Sequence, residues 1–284
     1  MTDVVADDLL PWGRRYLMCP PTHFGVLYEI NPWMHREVSV DRDRAVEQWE
    51  GLVAAVRAAG AEVVTMAPAE HVPDIVFTAN AGLLTGQRFV PSHFRHPERQ
   101  PETAVFASWF EAAGYEVVRL PTTMDHEGAG DALPFFDEAG RAVLLSGYRP
   151  RSDAAAGSVL SGLLGCPVRS LELVDERMYH VDLTFCPLDR RHAICAPLGW
   201  DTYGRKVVEA LVPEPLWLED DEALLFCANS VVVDRNIVMP NVPPRVGRIL
   251  EGWGFTISEA PVDEFLKAGG GCRCLTLALD VQLA

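Results

Sequence analysis

The sequence predicts an α/β protein, a five-bladed α/β propeller of ββαβ repeats, on three observations. Two segments are visibly related: Phe77-Thr-Ala-Asn80-Ala-Gly-Leu-Leu and Phe226-Cys-Ala-Asn229-Ser-Val-Val-Val. A β-rich run rich in proline recurs as YLMCPPTHF, RFVPSHF, AVLLSGYRP, HAICAPLGW and NIVMPNVPP. The first copy lacks a leading strand, and the chain ends in CRCLTLALDVQLA, a lone strand without the rest of its copy. The repeat spacing, roughly 45–50 residues, is that of propeller blades. If the last strand completes the first unit, the ring closes with no free end. Alternation of elements alone would equally support a doubly wound sheet. The paired Ala-Asn copies and the split repeat favour the ring.

A helical period follows the β-rich runs. In DRDRAVEQWEGLVAAVRAAG, residues Val46, Trp49, Val53 and Val56 fall on one face. TAVFASWFEAAG and RVGRILEGWG behave alike, and all three stretches end in the glycine expected past a helix C-terminus. The third strand of each unit is read at AEVVTM, YEVVRL, VRSLEL, LWL and FTISEA. No Gly/Ser linker or charge block divides the chain, so residues 1–284 are expected to form a single catalytic domain.

Composition narrows the function classes. With 23% charged and 49% hydrophobic residues, the 284-residue chain is globular rather than disordered or fibrous. There are 24 Lys+Arg against 40 Asp+Glu, a formal charge of −16. Only Lys206 and Lys267 are lysines, and no basic cluster exists, so nucleic acid is not expected as a partner. An acidic field keeps a protein soluble and weakly favours a cationic substrate. No apolar stretch of about 18 residues offers a membrane span. The acidic start MTDVVADDLL lacks the basic segment and apolar core of a secretory signal. The seven cysteines are an odd number in a large chain and are expected to be reduced thiols in a cytoplasm. Most sit in apolar runs such as LFCAN and AICAP and fit buried small hydrophobes. The Cys272-x-Cys274 pair has no second Cys/His pair at a ligand spacing, so no metal is expected.

In a closed ring the leading strands line the axis, and polar residues on them face one pocket. They are Asp74 and Asn80, Glu127 and Asp131, His180 and Asp182, Asn229, and Cys274. On a strand, His180 and Asp182 point the same way, and the carboxylate suits the imidazole to acid work. His23, His35, His93 and His96 lie in Pro-rich loops and are expected to face water. Cys272 and Cys274 would share a face of an extended strand, so pattern alone does not choose between the thiols. Glu127-Gly-Ala-Gly-Asp131 is glycine-rich, but its two carboxylates repel phosphate. Four acids facing one pocket, Asp74, Glu127, Asp131 and Asp182, call for a cationic guest. A planar guanidinium matches carboxylates bidentately, and a thiolate beside it could attack its electron-poor carbon.

These residues resemble those of the guanidino-group modifying enzymes, the pentein superfamily, which includes dimethylarginine dimethylaminohydrolase, arginine deiminase and the amidinotransferases. The resemblance runs through Tyr16-Leu-Met-Cys-Pro-Pro, Ile30-Asn-Pro-Trp-Met34 and Asp43-Arg-Ala-Val-Glu-Gln-Trp49. It continues through Pro73-Asp-Ile-Val-Phe-Thr-Ala-Asn-Ala-Gly82, Glu127-Gly-Ala-Gly-Asp131, His180-Val-Asp182 and Gly270-Gly-Cys-Arg-Cys-Leu-Thr276. It covers nearly the whole chain and is nearest the arginine dihydrolase branch, known as the N-terminal module of cyanobacterial proteins.

The resemblance implies a five-bladed propeller with Cys274 as nucleophile, Cys272 falling at a variable position. It implies His180 as general acid and base, with Glu127 hydrogen-bonding both the imidazole and the guanidinium. Asp182 becomes a guanidinium ligand and Asp74 the acid on the substrate's amine side. Arg99 and Arg151 resemble the arginines that hold the α-carboxylate or a neighbouring loop. Deiminases and dimethylarginine hydrolases usually have an acid where this chain has Asn80; the dihydrolases have Asn, and Asn31 is a second candidate of that branch. A neutral amide donates and accepts, so it tolerates a neutral ureido group. The implied activity is cofactor-free hydrolysis of free arginine to ornithine, ammonia and carbon dioxide through a thiouronium. The alternatives are a dimethylarginine hydrolase or deiminase that stops at citrulline. The intact Cys, His and Glu set argues against a non-catalytic binding protein. The chain ends ten residues after Cys274, so the ornithine-processing module of the cyanobacterial proteins is expected to be absent.

Overall fold

The computed structural model describes residues 8–283; the opening stretch 1–7, which carries most of the acidic start, lies outside them. The strands run β1 (Arg15–Met18), β2 (Glu62–Thr65), β3 (Gly82–Thr85), β4 (Arg88–Pro91), β5 (Glu116–Val117), β6 (Ala132–Phe136) and β7 (Ala142–Tyr148). They continue with β8 (Val168–Glu172), β9 (Phe185–Pro187), β10 (His192–Cys195), β11 (Glu214–Trp217), β12 (Val231–Val233), β13 (Asn236–Met239), β14 (Thr256–Glu259) and β15 (Leu277–Ala278).

Those strands form five separate three-stranded sheets: β3-β4-β5, β6-β7-β8, β9-β10-β11, β12-β13-β14 and β15-β1-β2. In each sheet the first pair is antiparallel and the second parallel. A parallel pair needs a crossover, and helices Arg42–Ala58, Gln100–Ala112, Ala156–Leu164, Thr202–Leu211 and Pro244–Gly252 supply one per sheet. The split blade closes as the sequence predicts. β15 completes the first unit antiparallel to β1, with Tyr16 opposite Ala278 and Leu17 opposite Leu277.

Burial explains the sequence signals. The inner strands β6, β9, β12 and β15 are buried along their whole length, which is why they appear as unbroken apolar runs. The outer strand β14 is mostly exposed. Helix Arg42–Ala58 starts at Asp41, whose side chain accepts from the Arg44 N–H at 3.1 Å. It stops before Gly60, whose φ of 110° lies in the region glycine alone enters cheaply. Its buried face is Ala45, Trp49, Leu52, Val53 and Val56; Val46, expected on that face, is exposed. The stripe steps from Ala45 through Trp49 and Leu52 to Val56, so a small residue against the sheet replaces the branched one beside it. Among the described residues no helix is long and apolar enough to cross a membrane.

Candidate active site

The polar residues on the axis sit on turns, not on strands. Short helical turns Thr78–Ala81, Gly128–Asp131 and Val181–Leu183 immediately precede β3, β6 and β9. Residues 272–275 likewise form a turn ahead of β15. This corrects two expectations. His180 and Asp182 do not share a strand face: His180 meets Glu127, while Asp182 meets Cys274. Cys272 and Cys274 also diverge, with the Cys272 Sγ 3.5 Å from the carbonyl of Ala260 and the Cys274 Sγ 3.3 Å from Asp182 Oδ2. His180 is the extended residue before a 3₁₀ turn, which rotates successive side chains by about 120° and breaks the period-two rule.

The thiol is held by its neighbours from two other blades. Asn229 Nδ2 lies 3.1 Å from Cys274 Sγ and 3.0 Å from the Asp182 carbonyl. Asn229 Oδ1 accepts from the backbone N–H groups of Arg273 at 3.0 Å and Cys274 at 3.2 Å. Burial first, and then Asp182, push the thiol well above the usual cysteine range. Burial also raises Asp182, to about 7, although Cys274, Arg273 and Asn229 pull it down. Asp182 Oδ1 is buried without a partner.

On another side of the axis, His180 Nε2 lies 2.9 Å from Glu127 Oε2. Burial lowers His180 to about 4, against the pull of Glu127. Burial alone would raise Glu127, but Arg151 and His180 together hold it well below the usual carboxylate range. An ionised carboxylate only accepts, so Nε2 carries the proton and Nδ1 is the free base. Arg151 Nη1 reaches the same Glu127 oxygen at 3.0 Å, and Nη2 donates to the Ile30 carbonyl at 2.9 Å. Asp131 was expected to face the pocket. Instead its Oδ2 takes the Ser152 hydroxyl, whose oxygen accepts from the Glu127 N–H at 3.0 Å. Burial, and then Glu127, raise Asp131 well above its ordinary value.

Cys274, Asp74, Asn80, Arg99, Arg151 and Asn31 line one cavity, joined by Tyr179 and Phe77. Asp74 Oδ2 accepts from Tyr28 at 3.0 Å, its Oδ1 has no partner, and burial raises its pKa despite Arg99. Arg99 is clamped by Glu102 through Nε at 2.8 Å and Nη2 at 2.9 Å, and its Nη1 donates to Asn80 Oδ1 at 3.1 Å. Asn80 Nδ2 donates to the Glu127 carbonyl at 3.0 Å. Asn31 donates to the Ala268 carbonyl at 3.1 Å and accepts from the Trp33 N–H at 2.9 Å, which ties its loop to the glycine run before Cys272.

Sequence reasoning missed Tyr28, Glu102, Ser152 and the fully buried His126, which burial lowers to about 4. Glu102 carried a signal: it stands three residues after Arg99, at the head of an apolar helix. The histidine expectation held for His35 alone. His23, His93 and His96 are half-buried, and His93 pairs with Asp125 at 2.9 Å. The arrangement is a buried thiol, a neutral imidazole backed by a carboxylate, and carboxylate oxygens awaiting donors. It suits nucleophilic attack on a cation.

A family model described as N,N dimethylarginine dimethylhydrolase, eukaryotic, matches residues 29–281. A bifunctional arginine dihydrolase/ornithine cyclodeaminase of Nostoc is 44% identical over 266 residues, 93% of this chain and 37% of the relative. Its Synechocystis counterpart is 42% identical over 96% of this chain and 38% of the relative. The chain thus spans under two fifths of those two proteins. A dimethylarginine dimethylaminohydrolase of Mycobacterium tuberculosis is 36% identical over 95% of this chain and 87% of its own. The product-bound N-terminal domain of ArgZ, an arginine dihydrolase from the ornithine-ammonia cycle in cyanobacteria, superposes with a TM-score of 0.90. It is 42% identical, covering 95% of this chain and 98% of that one. The same domain is known as an asparagine-to-serine variant covalently bound to a reaction intermediate. A Pseudomonas aeruginosa relative shares the fold at a TM-score of 0.78 and 18% identity.

Proposed function

The chain belongs to the N,N dimethylarginine dimethylhydrolase family of the pentein superfamily, and from that premise we propose that it hydrolyses free L-arginine to ornithine, ammonia and carbon dioxide. One observation carries this reading: the Cys274 thiol shares its surroundings with unpartnered buried carboxylate oxygens of Asp182 and Asp74. Buried acceptors without donors are costly, and a guanidinium and an α-ammonium supply the missing N–H groups. The arginine dihydrolase relatives support arginine as the substrate, and Asn80 in place of an acid supports a second hydrolysis.

The chemistry follows from the resting state. Cys274 and His180 are both neutral before substrate arrives. The incoming cation lowers the thiol's pKa, and its proton passes to His180. The thiolate adds to the guanidinium carbon, and His180 returns the proton to the departing nitrogen, which leaves as ammonia. Water, deprotonated by His180, attacks the thiouronium and expels Cys274, giving citrulline. A second round at the ureido carbon releases the second ammonia and carbon dioxide. One arginine and two waters become one ornithine, two ammonias and one carbon dioxide. Glu127 keeps the imidazole oriented, with Arg151 fixing Glu127. Arg99, held by Glu102, keeps Asn80 in place at the cavity wall. The seven free cysteines fit a reducing cytoplasm.

The Mycobacterium tuberculosis relative supports a second reading, release of citrulline from arginine or methylated arginines. Product analysis with arginine, methylated arginines, agmatine and citrulline separates the two. The expected result is ornithine with two ammonias per arginine, and no turnover by a folded Cys274→Ser variant. Citrulline alone from arginine, or activity confined to methylated arginines, overturns the dihydrolase reading.

A further inference from the structure

Arg273, between the two cysteines, is only 5% exposed. The buried Arg99 and Arg151 each hold a carboxylate, Glu102 and Glu127. Arg273 has no such partner among the described residues. Its hydrogen bonds are two long ones from Nη1, to the Thr276 carbonyl at 3.4 Å and hydroxyl at 3.5 Å. Nε and Nη2 donate to nothing described, so most of the guanidinium's donors are unspent.

A second buried donor lies beside it. The Trp12 ring centroid is 5.4 Å from the guanidinium carbon, and Trp12 Nε1 is buried with no partner. Both residues line a small void walled by Tyr16, Phe185, Ser230 and Val232. These walls come from the bodies of β1, β9 and β12 and the residue before β12, past the turns that carry Cys274 and Asp182. The void shares no residue with the substrate cavity. The hydroxyl hydrogens of Tyr16 and Ser230 are spent on the carbonyls of Val232 and Cys227, so Arg273 and Trp12 are left as the donors to this void. A buried cation and a buried indole N–H around one void call for a single acceptor that carries negative charge.

We propose that a small monovalent anion, of formate or chloride size, binds in this void between Arg273 and Trp12. A planar oxyanion can take the guanidinium edge with two parallel bonds and the indole N–H with a third. The wall is otherwise largely apolar, which excludes a hydrated or bulky anion.

The test is thermal unfolding of the whole protein in sodium formate and in sodium gluconate at matched ionic strength, gluconate being too large for the void. Formate should stabilise saturably, following mass action, where gluconate does not. Arg273→Met should abolish the difference between the two salts. Trp12→Phe keeps the ring and removes the N–H, and should weaken the apparent formate affinity about tenfold. Equal responses of the wild type to the two salts overturn the proposal. So does a saturable formate effect that survives both substitutions, since the anion would then sit elsewhere. If Arg273→Met does not fold, the wild-type isotherm and Trp12→Phe decide alone.

Discussion

Asn80 and Asn229 occupy the same step of two blades and start from nearly the same words, Phe-Thr-Ala-Asn and Phe-Cys-Ala-Asn. Their backbones repeat: the N–H of Asn80 bonds the Phe77 carbonyl at 3.0 Å, and that of Asn229 the Phe226 carbonyl at 2.9 Å. Their Nδ2 groups repeat too, each donating at 3.0 Å to a carbonyl on a neighbouring blade, Glu127 or Asp182. The backbone leading in differs at one residue, with φ of 61° at Phe226 and −82° at Phe77, and so do the surroundings of the amides. Asn80 Oδ1 is held by a charged donor, Arg99, itself locked to Glu102. Asn229 Oδ1 is held by two backbone N–H groups, and its Nδ2 also touches the nucleophile. The repeat delivers an amide to the axis twice. The adjoining blade decides whether it walls the pocket or braces the thiol.

Removing the brace should have the larger effect. Asn229→Ala strands the backbone N–H of Cys274, leaves that of Arg273 only the residue-229 carbonyl at 3.1 Å, and removes a donor from the thiol and from the Asp182 carbonyl. Each orphaned buried group costs about 1–3 kcal/mol. Loss of one preorganised polar group at a reaction centre typically costs about a hundred- to a thousandfold in kcat. We expect a loss of that size, with a lowered Tm. Asn229 lowers the pKa of both Cys274 and Asp182, so its removal raises both. The pH at which iodoacetamide alkylates Cys274 should therefore move upward in this variant. An unshifted alkylation profile would show that Asn229 supports only the backbone.

At the other turn, Asn80→Asp replaces the Nδ2 donor with an oxygen facing the Glu127 carbonyl, and adds a charge that competes with Glu102 for Arg99. The new carboxylate favours the cationic substrate and disfavours a neutral ureido group. An unmatched buried contact of about 1–3 kcal/mol slows the second hydrolysis roughly ten- to a hundredfold. Ammonia per arginine should fall from about two toward about one, read by ammonia and citrulline assays on the same reaction. An unchanged ratio would mean that Asn80 does not discriminate between the two steps.

The blades were legible in sequence because four of the five inner strands are fully buried runs, and because the broken first unit and the lone last strand can only complete each other. Cys274, Asp74, Asn80, Arg99, Arg151 and Asn31 do meet at one cavity. His180 and Glu127 meet behind it, and Asp182 meets the thiol. The directions of those side chains were not legible. A turn of three or four residues has no period to detect, so strand alternation was assumed for His180 and Asp182 and failed. Asp131 looked like a fourth pocket acid because nothing in its spacing reveals Ser152, 21 residues on. Glu102 was missed because a lone acid at a helix start ordinarily faces water.

The smallest effect belongs to the thiol that the spacing could not separate from the nucleophile. Cys272 Sγ is buried 3.5 Å from the Ala260 carbonyl, outside the substrate cavity, and burial raises its pKa. A serine there keeps a donor for that carbonyl and loses a little volume, so no buried group is orphaned. Near-isosteric changes in a core usually cost under about 1.5 kcal/mol. Cys272→Ser should keep kcat/KM within about twofold of wild type, with a Tm lower by a few degrees at most. Steady-state assays on Cys272→Ser and Cys274→Ser side by side settle the point. An inactive, folded Cys272→Ser beside an active Cys274→Ser would move the nucleophile two residues and reverse the roles of Asn229 and Asp182 with it.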